Sequence, residues 1–284
     1  KERLAELEQA AAAKSDARRK EEALAWLRGK VYGERKPCLL NPRRLALGKL
    51  ENGLNVETLL WWSQKGLFNH AFLFQADAAE KRKKPVQGSR AEAEQQAYEA
   101  REESERQQEE HALPPVTIAL WPRGTKRLAP RIDWIRQTCL SGRAVLVLDV
   151  SGDGAVMPNS ISPRRGMHDF YGTLHKFSID LFWLDDSLAA LRTFDVLRAL
   201  DLIDSFSEGR SRDTRLYAEG RFSLYAQLAE MLDDRLKQVE IVDGIESISE
   251  WVRSRYYDNL DSEGIVMPGM LKWFDLPDLR RWKA

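Results

Sequence analysis

Along the chain, apolar residues first recur at helical spacing. Leu4, Leu7 and Ala11, and later Leu24 and Leu27, are three or four positions apart, as one face of a helix requires. Strong helix formers fill residues 1–29 and Gly29 supplies a stop, so one or two helices are expected there. After residue 50 the pattern changes. ENGLNVETLLWWSQKGLFNHAFLFQAD (51–77) holds two β-prone, aromatic-rich runs around SQKG, the signature of a β-hairpin. Residues 78–113 then offer almost nothing to bury. Glu, Gln, Arg and Ala dominate, which reads as either a solvated helix or a flexible insertion, with a partner-binding arm as a sub-case of both.

Apolar runs return at PPVTIALWPRG (114–124), a strand ending in a Pro-Gly turn, followed by a helical stretch from Arg127 to about Leu140. RAVLVLDVSGDG (143–154) is continuously apolar and β-branched, as a central strand covered on both faces should be. The two strands and the helix between them make a βαβ unit. An irregular segment (155–182) precedes the helical run LFWLDDSLAALRTFDVLRALDLID (181–204), a strand at 215–219, a helix to Asp234 and a further buried strand in QVEIVDG (238–244). Helices alternating with strands after an antiparallel hairpin predict an α/β fold with a mostly parallel sheet. The expected organisation is a helical lead-in over 1–50 and one domain over 51–284, with the charged insertion 78–113 inside it.

The stretch LYAEGRFSLYAQLAEMLDD (216–234) passes from a buried strand through Glu219-Gly220 directly into an apolar-faced helix. A strand, a tight small-residue turn and a helix in that order are the setting of an α/β-hydrolase nucleophile. Other segments point the same way. NPRRLALGKLENGLNVETLLWWSQKGLFNHAFLF resembles the lead-in hairpin of acetyl xylan esterases and related carbohydrate esterases, and LVLDVSGDG resembles their strand ending in a small-residue turn. WLDDSLAALRTFDVLRALDLID resembles the helix before their nucleophile strand, MLDDRLKQVEIVDG the segment after the nucleophile helix, and GIVMPGMLKWFDLPDL (264–279) the approach to their last strands. The resemblance covers roughly residues 20–279 apart from the insertion and implies an α/β-hydrolase-like fold.

It also implies a chemistry that these residues supply only in part. Such esterases need a serine on the elbow, a histidine to take its proton and an aspartate to orient that histidine, in the chain order Ser, Asp, His. The four histidines, His70, His111, His168 and His175, all precede the elbow. Aligning LAEMLDDRL with the family puts Ala218 before the apex, Gly220 on it and Phe222-Ser223 where small residues normally follow. Ser223 is the remaining nucleophile candidate, flanked two positions away by Arg221 and Tyr225, and its other reading is an ordinary first-turn helix serine. The chain also ends before the family's last two strands. A sheet lacking them exposes an apolar parallel edge, over which a protein partner, a second copy or the N-terminal helices are expected.

Trp121, Arg123 and Gly124 of WPRG occupy the position whose backbone helps to form an oxyanion hole, and together with Gly220 and Arg221 they are binding candidates. His168 and His175 in RRGMHDFYGTLHKF are candidates on a loop overhanging the C-terminal edge of the sheet. Asp153 lies between glycines, where Asp commonly shapes a turn, with metal binding as the minor reading. Asp186 with Arg192, and Asp195 with Arg198, are spaced for ion pairs. Trp61, Trp62, Trp183, Trp251 and Trp273 read as core and interface. No metal or cofactor is expected.

Composition narrows the choices further. With 43% apolar and 9% aromatic residues the chain can build a sizeable core, and 44 basic against 44 acidic residues leave no global field to attract nucleic acid. KRKK (81–84) reads as solvated surface. Cys38 and Cys139 match no metal or redox spacing and read as free thiols. No apolar run approaches the roughly 18 residues of a membrane span. The first residue is Lys, which leaves a removed leader and a secreted or periplasmic location open. Two functions follow: an α/β-hydrolase-like binding or structural module that has lost ester cleavage, with a small ester or carbohydrate as its possible ligand, or an active serine carboxylesterase deacetylating a carbohydrate or small ester.

Overall fold

The computed structural model describes residues 2–33, 35, 38–50, 53–77, 113–159, 172–206, 213–254 and 262–283. His111, His168 and nearly all of the charged insertion lie outside them. Seven strands form one sheet: β1 (Arg43–Lys49), β2 (Leu54–Gln64), β3 (Leu67–Ala76), β4 (Val116–Leu120), β5 (Ala144–Asp149), β6 (Thr214–Glu219) and β7 (Leu236–Val242). Their spatial order is β1-β2-β3-β5-β4-β6-β7. The first three pair antiparallel, β3 pairs antiparallel with β5, and β5, β4, β6 and β7 run parallel. The expected hairpin is β2–β3, closed by Lys65-Gly66 with Gly66 at φ 88°, where a side chain would be strained. β5 is the fourth strand of seven and is buried throughout, as its apolar run predicts.

Alternate residues of each central strand feed two cores. Ile118, Leu120, Leu146, Leu148, Leu216 and Ala218 face one side; Ala119, Trp121, Val145, Val147 and Tyr217 face the other. The first side is covered by α2 (Asp16–Tyr32), α5 (Leu188–Ser205), α6 (Ser223–Leu232) and α8 (Leu276–Lys283). The second is covered by α3 (Ile132–Leu140) through Ile135 and Cys139. α1 (Glu2–Ala12), α4 (Thr173–Trp183) and α7 (Ile248–Arg253) complete the helices of the described residues. α5 is buried along almost its whole length, and each Leu or Ile placed there contributes about 1.5–3 kcal/mol.

Several expectations are corrected. Gly29 does not stop the first helical region: α2 continues to Tyr32, and Gly33 at φ 39° follows as its C-cap. The lead-in is not helical throughout, because β1 joins the sheet from within it. The segment read as irregular contains α4, and the single helix expected over 181–204 is two. Asp185 at φ 56° breaks it, and the Ser187 side chain restarts it by accepting from Ala190 N–H at 3.1 Å. β7 is an edge strand and largely exposed, Ile241 and Val242 included, where a buried strand was expected. The N-terminal helices do not cover that edge. α2 packs on α5 and α6, and its Arg19 pairs with Asp278 of α8 at 2.9 Å.

The two expected ion pairs give way to longer-range partners. Asp186 receives both Nη2 contacts of Arg35 at 2.6 Å. Asp195 accepts from Ser63 Oγ and from Ser151 N–H, each at 2.7 Å, while Arg198 reaches Asp201 and the Cys38 carbonyl. Burial raises the pKa of Asp195, against the hydrogen bonds from Ser151 and Ser63 that favour its charged form. Cys38 and Cys139 are both thiols, outside any disulfide.

Candidate active site

At the C-terminal end of the parallel strands, β6 ends at Glu219 in extended conformation. Gly220 turns the chain at φ 55°, a 3-10 turn spans Gly220–Phe222, and α6 starts at Ser223. Ala218 beneath the turn is fully buried and Phe222 nearly so. Around Gly220 there is room: a Cβ built there meets no atom within 4 Å. The chain thus forms a strand–turn–helix elbow whose apical residue adopts the left-handed conformation, and that residue has no side chain.

Ser223 sits elsewhere. It is fully buried, and its Oγ accepts from Ile245 N–H at 2.9 Å in the loop after β7. A Cβ on Gly244 would come within 2.9 Å of that oxygen, so the loop closes directly over it. The hydroxyl serves as a strut between α6 and this loop. Tyr225, two residues further along the same helix, is also structural in its contacts: its OH accepts from Arg192 Nη1 at 2.8 Å and donates to the Gly264 carbonyl at 2.8 Å. Arg192 also donates to the Ser151 carbonyl at 2.9 Å, fastening the loop after β5 to the elbow helix.

Beside the apex, Glu219 is paired with Arg131 and accepts from Tyr217 OH at 3.1 Å. Burial, with the Glu219 charge behind it, pushes the Tyr217 phenol up to about 12, so it remains a proton donor at neutral pH. Arg131 also lies 5.0 Å from the centre of the Trp121 ring. Trp121 itself is core: it is fully buried, meets Trp134 and Tyr217 edge-on, and donates from Nε1 to the Gly124 carbonyl at 2.9 Å. Arg123 is exposed at φ 71°, and its backbone N–H is given to Asp153 Oδ2 at 2.7 Å. Asp153 therefore orders the WPRG turn across the chain. Pro122, between the two, carries no N–H to offer an oxyanion.

The most heavily bonded acid of the region is Asp149, at the end of β5. Fully buried, it accepts from Thr125 N–H at 2.8 Å, Thr125 Oγ1 at 2.5 Å, Ala155 N–H at 3.0 Å and His70 Nδ1 at 2.7 Å. The carboxylate acceptor places the imidazole proton on Nδ1. Gly124 and Gly154 are glycine because of this acid. A Cβ on either would stand 1.8 or 1.9 Å from Asp149 Oδ1. The His70–Asp149 pair is not apparent in the sequence, since its partners are brought together only by the β3–β5 register, His70 opposite Asp149.

His175 is on α4, half-buried, with Nδ1 2.7 Å from Glu263 Oε1. The neighbouring Leu174 packs so closely on Gly152 that a Cβ there would lie 2.5 Å from its Cδ1. The start of α4 thus overhangs the loop after β5, as expected of this segment. Among the described residues no group of three or more His, Cys, Asp or Glu could hold a metal ion. No described helix is long and apolar enough to cross a membrane.

No family model and no curated protein matches the sequence. Solved structures do match in shape. A candidate acetyl xylan esterase of Bacteroides fragilis NCTC 9343 superposes with a TM-score of 0.65 at 11% identity, over 94% of this chain and 66% of its own. An acetyl xylan esterase from Paenibacillus sp. R4 gives 0.48 at 18% identity, covering 90% and 74%, and a glucuronoyl esterase from Solibacter usitatus gives 0.47 at 14%, covering 90% and 69%. The chain spans about two thirds of the length of the Bacteroides protein. Its sheet order, its βαβ unit and the likeness to that structure establish the α/β-hydrolase fold, resembling the acetyl xylan esterases.

Proposed function

We propose that this chain is a non-hydrolytic module of the α/β-hydrolase fold, binding a small carbohydrate ester at the C-terminal edge of its sheet without attacking it. One observation carries the reading. The apex of the elbow is Gly220, in a left-handed conformation with open space where a side chain would project. Gly220 itself offers an ester carbonyl no hydroxyl, and covalent catalysis of the serine type requires one. Ser223 does not substitute for it, because its oxygen is buried and engaged by Ile245 N–H. The exposed Arg123, after β4, and the half-buried Arg221, next to the apex, follow neighbouring parallel strands at the edge where α/β sheets receive ligands, and there they would supply polar contacts. The ligand class follows the names of the fold neighbours, acetyl xylan esterases among them.

The test is active-site labelling with a fluorophosphonate together with p-nitrophenyl acetate hydrolysis, on the protein and on Ser223→Ala. Neither labelling nor turnover above the buffer rate is expected. Stoichiometric labelling lost in Ser223→Ala would restore the esterase reading. An acetylated xylo-oligosaccharide should meanwhile raise the melting temperature, and this shift should fall with Arg123→Ala.

A further inference from the structure

On the side of the molecule where α2 meets the segment before α8, there is a cleft of about 870 Å³ lined by none of the elbow residues. We propose that it binds a small ring-bearing carboxylate, its ring against Trp26 and Trp273 and its carboxylate on Lys272. The volume falls in the range of small-molecule sites, and apolar walls with a few placed polar groups are their usual make-up.

Its apolar wall is a pair of half-buried indoles. Trp26 and Trp273 stack with centroids 6.4 Å apart and planes 23° apart, and Phe274 holds Trp26 from behind at 5.9 Å. The opposite rim is fixed by two ion pairs. Lys30 meets Asp185 at 2.6 Å and Arg35 meets Asp186 at 2.6 Å, tying α2 to the turn between α4 and α5. These pairs neutralise each other within the cleft. Lys272 is the lining cation with no carboxylate partner among the described residues, so the cleft carries one positive charge to be met.

Gly29 gives the second, independent argument. It lies inside α2, on the face that also presents Trp26, Lys30 and Gly33, at the i, i+3, i+4 and i+7 spacing of one helix face. It stands in the last turn of α2, and a glycine within a helix destabilises relative to alanine. Packing gives no reason for it, because a Cβ at Gly29 meets nothing within 4 Å, and its φ is not in the left-handed region. What a side chain there would occupy is the cleft. A residue that weakens its helix while keeping a cavity open fits a site shaped for an occupant.

Calorimetric titration with sodium glucuronate, sodium benzoate and glucose tests this independently of the elbow. Saturable binding is expected for at least one of the two carboxylates, with glucose at least about tenfold weaker. Whichever carboxylate binds more tightly identifies a sugar acid or an aromatic acid as the natural class. Lys272→Gln, a surface change, should weaken that binding about tenfold with no change in melting temperature. Gly29→Ala should weaken it by a similar factor while raising the melting temperature by about 2 °C. Absence of saturation by either carboxylate, glucose binding as tightly, or an unchanged affinity in either variant overturns the proposal.

Discussion

Two turns at the same edge of the sheet use glycine for opposite reasons. Around Asp149 at the end of β5, Gly124 of the turn after β4 and Gly154 of the turn after β5 are forced: Asp149 occupies the space where their side chains would be, and its four hydrogen bonds are made at the expense of any Cβ nearby. At the end of β6, Gly220 is surrounded by open space, and only its positive φ, which Gly124 and Gly154 share, calls for a glycine. Packing therefore dictates the first turn in atomic detail and leaves the side chain of the second unspecified. One edge of the sheet thus holds both a turn specified atom by atom and a turn left open at its apex.

Substitution can break that contrast. Gly154→Ala should have the largest effect, a loss of about 4 kcal/mol in urea unfolding, because an atom 1.9 Å from a buried carboxylate forces the Asp149 cradle apart. Ser223→Ala should lose about 2 kcal/mol, since the Ile245 N–H is left without its acceptor. Gly220→Ala should cost only about 1 kcal/mol, the penalty of a left-handed alanine with no clash added. If Gly220→Ala proved as damaging as Gly154→Ala, the open apex described above would be wrong.

The smallest effect concerns pH. Asp195 has its pKa raised by burial, so the unfolded chain releases this proton at lower pH than the folded protein does. Its contribution is complete below the ordinary Asp value of about 4 and is lost as pH rises from there through the folded value. Asp195→Asn should remove that decline, leaving a flatter plot of unfolding free energy against pH. A plot with unchanged slope would assign the pH dependence to other groups.

Much of this was legible in the sequence. Period-two and continuous apolar runs located the hairpin and β5, and the strand–turn–helix of 216–234 located the elbow to the residue, Gly220 included. What local pattern could not supply were contacts fixed by long-range register. His70 meets Asp149 only because β3 lies beside β5, and Asp186 meets Arg35, just beyond α2, and not Arg192 of the helix that follows it. β7 reads as a buried strand by composition, yet burial depends on a neighbour, and at the edge it has one on a single side. Gly29 reads as a helix stop because glycine usually is one, whereas α2 gains enough from burying Ala23, Leu27 and Val31 to continue past it.

The antiparallel seam between β3 and β5, where the antiparallel half of the sheet meets the parallel half, also has a consequence in time. On one side of it, β2 and β3 are joined by a two-residue turn and can pair within about 1–10 μs. On the other, β4, β5, β6 and β7 pair only across intervening helices, and such non-local pairings close slowly. The seam is where the early half meets the late one. Amides of Leu59 and Ala71 should accordingly gain protection in pulse-labelled hydrogen exchange before those of Val147 and Leu216, making the hairpin the template on which the parallel half of the fold is laid down.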